Sequence, residues 1–316
     1  MRFLNGGGLL HRLLIIIGRL IHDKRKKEKI NRFIICITWI DQLFCLDLVS
    51  YFQKFYHELF EWNINPAIPN KFIGLANYFE LFQDPKFYTS LKNTMLYTAV
   101  TVPGQMILGF LVAILLNRKM KGQTLFRLLY YLPVVTSWVI VSILFQYLFA
   151  VRGGLVNFLL KDILHIIPKN IAWLSNPKTA MIPIYTLGIW KGIGWSMLIF
   201  LAGLQGIPKE IYEAASLDGA NSWKKTIKIT IPLMVPTILF ELVMLTIGGF
   251  NVFLSVYVMT GGGPMGSTEV LSSYMFKEAF DYFHFGYGAA ISVIFFLIVF
   301  TISQLQRKLL SKRSLY

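Results

Sequence analysis

The chain alternates between long apolar runs and short polar loops. Six runs are candidate membrane-spanning helices: Phe33–Ser50, Leu91–Leu116, Leu128–Ala150, Ala180–Leu204, Leu233–Met259 and Phe285–Gln304. A helix needs about 20 apolar residues to cross the hydrocarbon core of a bilayer. The first run is the weakest, because Asp41 and Asp47 interrupt it and each costs roughly 2.5–3.5 kcal/mol at the centre of a span. The pattern predicts an all-α, polytopic membrane bundle.

The basic residues predict which loops face the cytoplasm. They cluster in four short segments: Lys24–Arg32, Arg118–Arg127, Lys209–Lys228 and Arg307–Arg313. Loops rich in Lys and Arg lie on the cytoplasmic side of a membrane. The first two clusters share that side only if two spans separate them, so Phe33–Ser50 must cross as well as Leu91–Leu116. Parity therefore predicts six transmembrane helices with both termini in the cytoplasm.

Composition agrees with a membrane protein and excludes two other classes. With 55% hydrophobic residues, 15% charged residues and a mean hydropathy of +0.56, the chain is too apolar for a soluble domain. Lys and Arg (31) outnumber Asp and Glu (16), but they lie in loops between spans, so we expect no nucleic-acid partner. Cys36 and Cys45 fall within one candidate span and predict no disulfide.

The expected organisation is a basic cytoplasmic segment 1–32, a weak span with an external loop 33–90, a core 91–306 and a basic tail 307–316.

The stretch 206–232 is the only long polar segment between two strongly apolar runs. Pro208 suits the first position of a helix, since its missing N–H is not needed there. The spacing that follows is helical as far as Asp218, and Gly219 is suited to the left-handed conformation that closes a helix. A second short helix is expected to begin at 221–222. One stripe of the first helix carries the small and apolar residues Ile207, Ile211, Ala214 and Ala215.

Glu213 has two interpretations. On a solvated face it would pair with Lys209, and such pairs contribute only about 0.2–0.5 kcal/mol. The small neighbours Ala214 and Ala215 instead let another surface approach the backbone, and Gly219 fixes the turn. We favour a segment built to be held by another protein.

These residues resemble a known signature. The matching positions are Glu213-Ala214-Ala215, Gly219 and Ile229-Thr230-Ile231-Pro232. The segment is similar to the EAA signature of permease subunits of binding-protein-dependent ABC importers, which usually have Leu where Ile231 stands. The longer sequence from about Phe72 to about Gln306 looks like the carbohydrate branch of that family, of the maltose or glycerol-phosphate type.

The resemblance implies a function and a set of partners. Segment 206–232 would carry the coupling helix that docks on a cytoplasmic ATPase subunit, through Glu213, Ala214, Ala215, Asp218, Gly219 and Pro232. The chain would import a carbohydrate or sugar-phosphate across a bacterial cell membrane by alternating access, and would not itself be an enzyme. Its expected partners are a second, similar permease, two ATP-binding subunits and an extracytoplasmic solute-binding protein. ATP would be bound by those partner subunits, and no cofactor is expected on this chain.

Three residues are candidates for the solute path: Lys191, Trp195 and Asn251. Lys191 lies near the middle of an apolar run, where a charge must face protein or water, and a structural ion pair with Asp47 or Glu241 is an equal alternative. Asn251 ends a Gly248–Asn251 interruption of the kind that lines cavities in transporters. Equally, those glycines could let two helices approach closely.

Other functions receive less support from the sequence. The segment Gly261–Pro264 lacks the spacing of a phosphate-binding P-loop and is interpreted as an external turn. An ion-coupled secondary transporter, the main alternative, would use Asp41, Asp47 and Glu241 as its titrating residues. The histidines lie outside the confident spans and show no metal-ligand spacing, which disfavours a membrane-embedded enzyme.

The topology can be tested with single cysteines in a background lacking Cys36 and Cys45. Because basic loops face the cytoplasm, we expect Ser175→Cys and Ser267→Cys to react with an impermeant thiol reagent on intact cells. Ser216→Cys and Ser311→Cys should react only after the cells are opened. Labelling of Ser216→Cys but not Ser267→Cys on intact cells would contradict the six-span topology.

Overall fold

The computed structural model describes residues 59–62, 70–118 and 120–311. All of them belong to one compact unit, Glu58–Tyr316. The predicted segment 1–32, the weak span Phe33–Ser50 with its two acids and two cysteines, and the end of the basic tail lie outside the described residues.

The described chain is almost entirely helical. In order, its elements are β1 (Phe60–Glu61), β2 (Lys71–Phe72), α1 (Ala76–Gln83), α2 (Pro85–Leu116), α3 (Gln123–Val135), α4 (Trp138–Leu148), α5 (Leu155–Asn157), α6 (Met181–Gln205), α7 (Lys209–Leu217), α8 (Ser222–Lys225), α9 (Ile231–Leu233), α10 (Val235–Phe250), α11 (Leu254–Met259), α12 (Leu271–Phe276) and α13 (Phe285–Ser311). Single π-helical turns follow α5, α8 and α12 directly, at Phe158–Ile163, Thr226–Thr230 and Lys277–Asp281. The all-α prediction is confirmed apart from the two-residue ladder of β1 and β2.

Within the described residues, four helical segments are long and apolar enough to cross a membrane: α2, α6, α10 with α11, and α13. They confirm four of the predicted spans. The first begins at Pro85 rather than Leu91, because Asp84 caps it by accepting a hydrogen bond from the Lys86 backbone N–H at 2.8 Å. Pro85 occupies the first turn, where no N–H is needed.

The predicted span Leu128–Ala150 is not one straight helix. It is divided between α3 and α4, which meet at an angle of 96°. Thr136 and Ser137, between the two helices, have extended backbone, and the Thr136 hydroxyl donates to the Pro133 carbonyl at 2.6 Å. Pro133 lacks the N–H that would continue the helical ladder. We call this α3–α4 junction, residues 133–138, the elbow.

Helix α6 packs most extensively against α2, and glycines allow the close approach. A Cβ added at Gly188 would collide with the Tyr97 hydroxyl, and one added at Gly109 would collide with Ser196. On another face, a Cβ at Gly194 would collide with the backbone carbonyl oxygen of Tyr130 in α3. Small residues of this kind bring helices together in membranes, where no hydrophobic force drives their association. Helix α6 is therefore held between α2 and α3.

A polar cluster ties the start of α2 to the segment between α11 and α13. Asp84 accepts hydrogen bonds from the Tyr287 hydroxyl at 3.0 Å and from the Tyr274 hydroxyl. Burial, together with the bond to Asp84, raises the pKa of Tyr274 above its ordinary value, so its hydroxyl remains a donor at neutral pH. Nearby, the Asn93 amide donates to the Glu269 carbonyl at 2.9 Å. The start of α2 and the segment between α11 and α13 thus meet on one side of the bundle.

The glycine contact between α3 and α6 predicts a difference between two Gly→Ala variants. Gly194→Ala places a methyl group against the Tyr130 carbonyl, which belongs to the backbone and cannot rotate away. Overpacking of this kind costs about 1–3 kcal/mol, so the thermal unfolding temperature of the purified protein in detergent should fall.

Gly248→Ala is the matched control, because no atom of the part of the chain that the structure describes lies within 4 Å of a Cβ added there. Its unfolding temperature should equal or exceed that of the wild type, since Ala favours a helix more than Gly does. Equal unfolding temperatures for the two variants would show that α3 and α6 do not touch at Gly194.

Candidate functional site

The polar segment between α6 and α10 folds as two short helices around a fixed turn. Gly219 has φ +71°, the left-handed conformation predicted for it. The N–H of Gly219 donates to the Ser216 carbonyl at 3.1 Å, and the N–H of Ala220 donates to the Ala215 carbonyl at 2.9 Å. This pair of bonds is the Schellman motif, which satisfies the last carbonyls of α7. Only a residue that tolerates positive φ fits at Gly219 without strain.

Side chains fix the second helix relative to the first. Asn221 caps α8 by accepting from the Lys224 backbone N–H at 2.9 Å, which confirms the predicted start of that helix. The Tyr212 hydroxyl lies 3.0 Å from the Thr230 hydroxyl, and the Lys225 ammonium donates to Ser216 at 2.6 Å. The two short helices therefore form a hairpin that side-chain hydrogen bonds hold together. We call residues 206–234 the coupling segment, after the role that the EAA-like residues imply.

Some local expectations for this segment need correction. Pro208 is the cap residue before α7, not its first helical residue, because its ψ of 137° is extended. The predicted apolar stripe is divided, since Ala215 is buried whereas Ile211 and Ala214 are exposed. Among the described residues, Glu213 forms no ion pair with Lys209. The surface-pair interpretation of Glu213 therefore has no support in the structure.

Two large apolar side chains point away from the coupling segment. Leu217 is 90% exposed and Trp223 is 72% exposed, one on each side of the Gly219 turn. Glu213, Asp218 and Pro232 are also exposed. Large apolar side chains exposed among polar residues are available for contact with another protein. The sequence analysis did not single out Leu217 or Trp223, although an apolar residue on either side of a polar Asp-Gly turn is a visible signal.

A cavity of about 220 Å³ lies where α2, the elbow, α6 and α10 meet. Its lining includes Lys191 and Trp195, two of the predicted solute-path residues, together with Gly248 and Gly249. Asn251 does not line it. The Asn251 amide instead donates to the Ile247 carbonyl at 2.8 Å, where α10 ends. The predicted interruption of this span is present, but its glycines border the cavity and its asparagine does not.

The sequence analysis missed other polar and aromatic residues of the cavity wall: Tyr97, Gln105 and Trp138. Gln105 donates to the Gly188 carbonyl at 3.2 Å and so bridges α2 and α6. A glutamine in the middle of the apolar run Leu91–Leu116 is a signal that could have identified it. The position of Trp138 depends on the elbow, which the sequence pattern did not predict.

The described structure does not contain the ion pair proposed for Lys191 and Glu241. The Lys191 ammonium is bonded to backbone carbonyls of the elbow. Glu241 is completely buried and accepts a hydrogen bond from Ser196 at 2.6 Å. Asp47, the other proposed partner, lies outside the described residues. Trp190 packs its ring against Phe145, with centroids 5.6 Å apart, as expected for a packing residue.

Comparison with known proteins identifies the chain's relatives. Residues 105–315 match the family described as the binding-protein-dependent transport system inner membrane component. The probable ABC transporter permease protein YurN of Bacillus subtilis is 36% identical over 263 residues, which cover 82% of this chain and 89% of that protein. The lactose transport system permease protein LacF of Rhizobium radiobacter is 38% identical over 240 residues, covering 75% of this chain and 80% of that protein.

A solved structure has the same fold. The bacterial alginate ABC transporter, crystallised with an alginate pentasaccharide-bound periplasmic protein, contains a chain that aligns with a TM-score of 0.75. The alignment covers 91% of this chain and 98% of that chain at 21% identity. The resemblance noted from the EAA-like residues is thereby confirmed, and this multi-pass membrane protein belongs to the family of binding-protein-dependent transport system inner membrane components.

Proposed function

We propose that this chain is the permease subunit of a bacterial ABC importer that carries a carbohydrate into the cell. The observation that carries the proposal is the coupling segment, a rigid turn between two exposed apolar side chains. It is the kind of surface that a cleft in a cytoplasmic ATPase subunit could hold. ATP binding and hydrolysis belong to two such partner subunits, and both ends of this chain lie in the cytoplasm.

The connectivity explains how movement of the coupling segment would reach the solute. The segment joins the end of α6 to the start of α10. Both helices contribute to the cavity wall, through Lys191 and Trp195 in α6 and through Gly248 and Gly249 in α10. At 1.5 Å per residue, Lys191 and Gly248 each lie about 20 Å along their helix from the coupling segment. If an ATPase displaces the coupling segment, α6 and α10 therefore both move. Each helix carries the movement over a similar distance to the same cavity.

The cavity wall supports a carbohydrate as the solute. Trp138, Trp195 and Tyr97 offer ring faces and Gln105 offers an amide, and such groups suit the apolar faces and hydroxyls of a sugar. LacF is named for lactose transport, and the alginate transporter was crystallised with an alginate pentasaccharide-bound protein. A volume of about 220 Å³ is smaller than the roughly 300–1,000 Å³ of ordinary ligand sites. The cavity must therefore widen to pass a sugar, as alternating access requires.

The partners follow from the same proposal. A second, similar permease would complete the far wall of the route, since a single chain provides only part of it. An extracytoplasmic solute-binding protein would deliver the sugar to the side on which the start of α2 meets the segment between α11 and α13. We propose Trp195 as a residue that contacts the solute, and Lys191 as a residue of the wall of the route whose ammonium group is bonded to the elbow. Asn251 is retained as an exposed position beside it, at the break between α10 and α11.

Gly219→Val tests the coupling role. The left-handed backbone at Gly219 disfavours a β-branched residue by roughly 1–2 kcal/mol, a factor of about five to thirty in an equilibrium. Among the described residues, nothing lies within 4 Å of an added Cβ, so the expected effect comes from the backbone and not from crowding by those residues. We expect ATP hydrolysis stimulated by the loaded binding protein to fall together with uptake in the reconstituted complex.

Gly219→Asn is the matched control, because Asn tolerates positive φ better than other side chains do. It should keep most of the stimulated ATP hydrolysis, whereas Glu213→Ala and Leu217→Ser should lose part of it through a weaker contact with the ATPase. Full stimulation in Gly219→Val, Glu213→Ala and Leu217→Ser would show that the coupling segment is an ordinary solvated connection.

Two tryptophans of α6 test the solute route. Trp195 is 38% exposed and lines the cavity, whereas Trp190 is 40% exposed and packs against Phe145. Trp195→Ala should raise the KM of sugar uptake about tenfold, which corresponds to about 1.4 kcal/mol of lost contact. Trp190→Ala should lower thermal stability and leave KM near the wild-type value. An unchanged KM for Trp195→Ala with every transported sugar would remove Trp195 from the route.

A further inference from the structure

The elbow interrupts the backbone hydrogen bonding of an apolar segment. Helix α3 ends at Val135, and the next two residues are extended. The last carbonyls of a helix have no donor within the helix. Inside a membrane water cannot replace that donor, so each such carbonyl needs a partner from the protein. The elbow can exist at this position only if another part of the chain supplies donors.

Lys191 supplies them. Its ammonium group donates to the Pro133 carbonyl at 2.5 Å, to the Thr136 carbonyl at 2.7 Å and to the Val134 carbonyl at 3.3 Å. The Thr136 hydroxyl lies 3.4 Å away as a fourth, weaker acceptor. An ammonium group has three protons, so the acceptors of the elbow use all of them. Lys191 is only 3% exposed.

The surroundings of the ammonium group favour a positive charge without a carboxylate. No carboxylate lies within ion-pair distance of Lys191 among the described residues. The end of α3 carries the negative pole of the helix dipole, which attracts a cation. The Trp138 ring also lies under the ammonium group, with its centroid 4.9 Å away, in the arrangement of a cation–π contact.

The glycine three residues after Lys191 makes this arrangement possible. The backbone of α6 at Gly194 touches the Tyr130 carbonyl of α3, and this contact holds the two helices close enough for Lys191 to reach beneath the last turn. The elbow then places Val134 and Trp138 on the cavity wall.

We propose that Lys191 is a positioning residue, which completes the hydrogen bonding of the elbow and thereby holds Trp138 and Val134 in the cavity wall. It does not bind the solute, because its protons are already donated to backbone carbonyls. The inference concerns the elbow itself and relies on the proposed function only for its transport measurement. Lys191 acts on transport by keeping α3, α4 and α6 together as the cavity opens.

The test measures the elbow directly and transport separately. Spin labels at Leu125→Cys in α3 and Tyr147→Cys in α4, both exposed positions, report the distance across the elbow in the complete complex lacking Cys36 and Cys45. Lys191→Met should broaden or shift that distance distribution and raise the KM of uptake about tenfold. Lys191→Arg should restore a narrow distribution and most of the uptake, because a guanidinium group also donates several hydrogen bonds. Lys178→Met, which removes an exposed lysine, should change neither.

Two results would overturn the inference. One is an unchanged distance distribution in Lys191→Met. The other is a rise in KM that is confined to acidic sugars, since that would make the ammonium group a direct partner of the solute. If Lys191→Met does not assemble, Thr136→Val decides instead. It removes the hydroxyl that donates to the Pro133 carbonyl at 2.6 Å and accepts from the Lys191 ammonium group at 3.4 Å, and it should broaden the distance distribution with a several-fold smaller rise in KM. An unchanged distribution in Thr136→Val would then reject the role. The distance measurement remains valid even if the complex transports no sugar, so failure of the proposed function would be recognised separately.

Discussion

The close approach of α6 to its neighbours is the contact on which the rest of the structure depends. Gly188 and Gly194 of α6, and Gly109 of α2, stand where any side chain would collide with a neighbouring helix. In a membrane such contacts must come from shape, because lipid chains are as apolar as the helices. The same closeness lets Lys191 reach the elbow and lets Gln105 reach the Gly188 carbonyl. Glycines thus position the polar groups of the cavity as well as the helices.

Much of the bundle could be predicted from the apolar pattern, because the length and hydropathy of a run decide whether it spans a bilayer. The runs that became α2, α6, α10 with α11, and α13 were predicted, with the largest differences at the start of α2 (Leu91 predicted, Pro85 observed) and at the end of α13 (Gln304 predicted, Ser311 observed). The turn at Gly219 and the cap at Asn221 were also predictable, since few residue types satisfy those backbone positions. These features depend on local chemistry, which the sequence displays directly.

The elbow and the partners of Lys191 could not be predicted in this way. Hydropathy is the same for a straight helix and for two helices at 96°, and Pro133 does not by itself fix a bend of that size. The main acceptors of Lys191 are backbone carbonyls. Because every residue has one, no side chain in the sequence indicates which carbonyls accept these bonds. The only partners predicted for Lys191 from the sequence were therefore carboxylates, those of Asp47 and Glu241. Asn251 was assigned to the solute path for its polarity, but its amide is used to end α10.

Glu241 links α6 and α10, the two helices that connect the coupling segment with the cavity. It lies in α10, is completely buried and accepts a hydrogen bond from Ser196 of α6. This bond links the two helices between the coupling segment and the cavity. A carboxyl group in that position resists sliding of α6 past α10, because sliding would leave a buried polar group without its donor. Glu241 does not line the cavity of about 220 Å³, and membership of the binding-protein-dependent family disfavours the ion-coupled secondary transporter for which Glu241 was predicted to titrate. In the proposed mechanism, movement that begins at the coupling segment would therefore reach Trp195 and Gly248 through two helices that this bond links to each other.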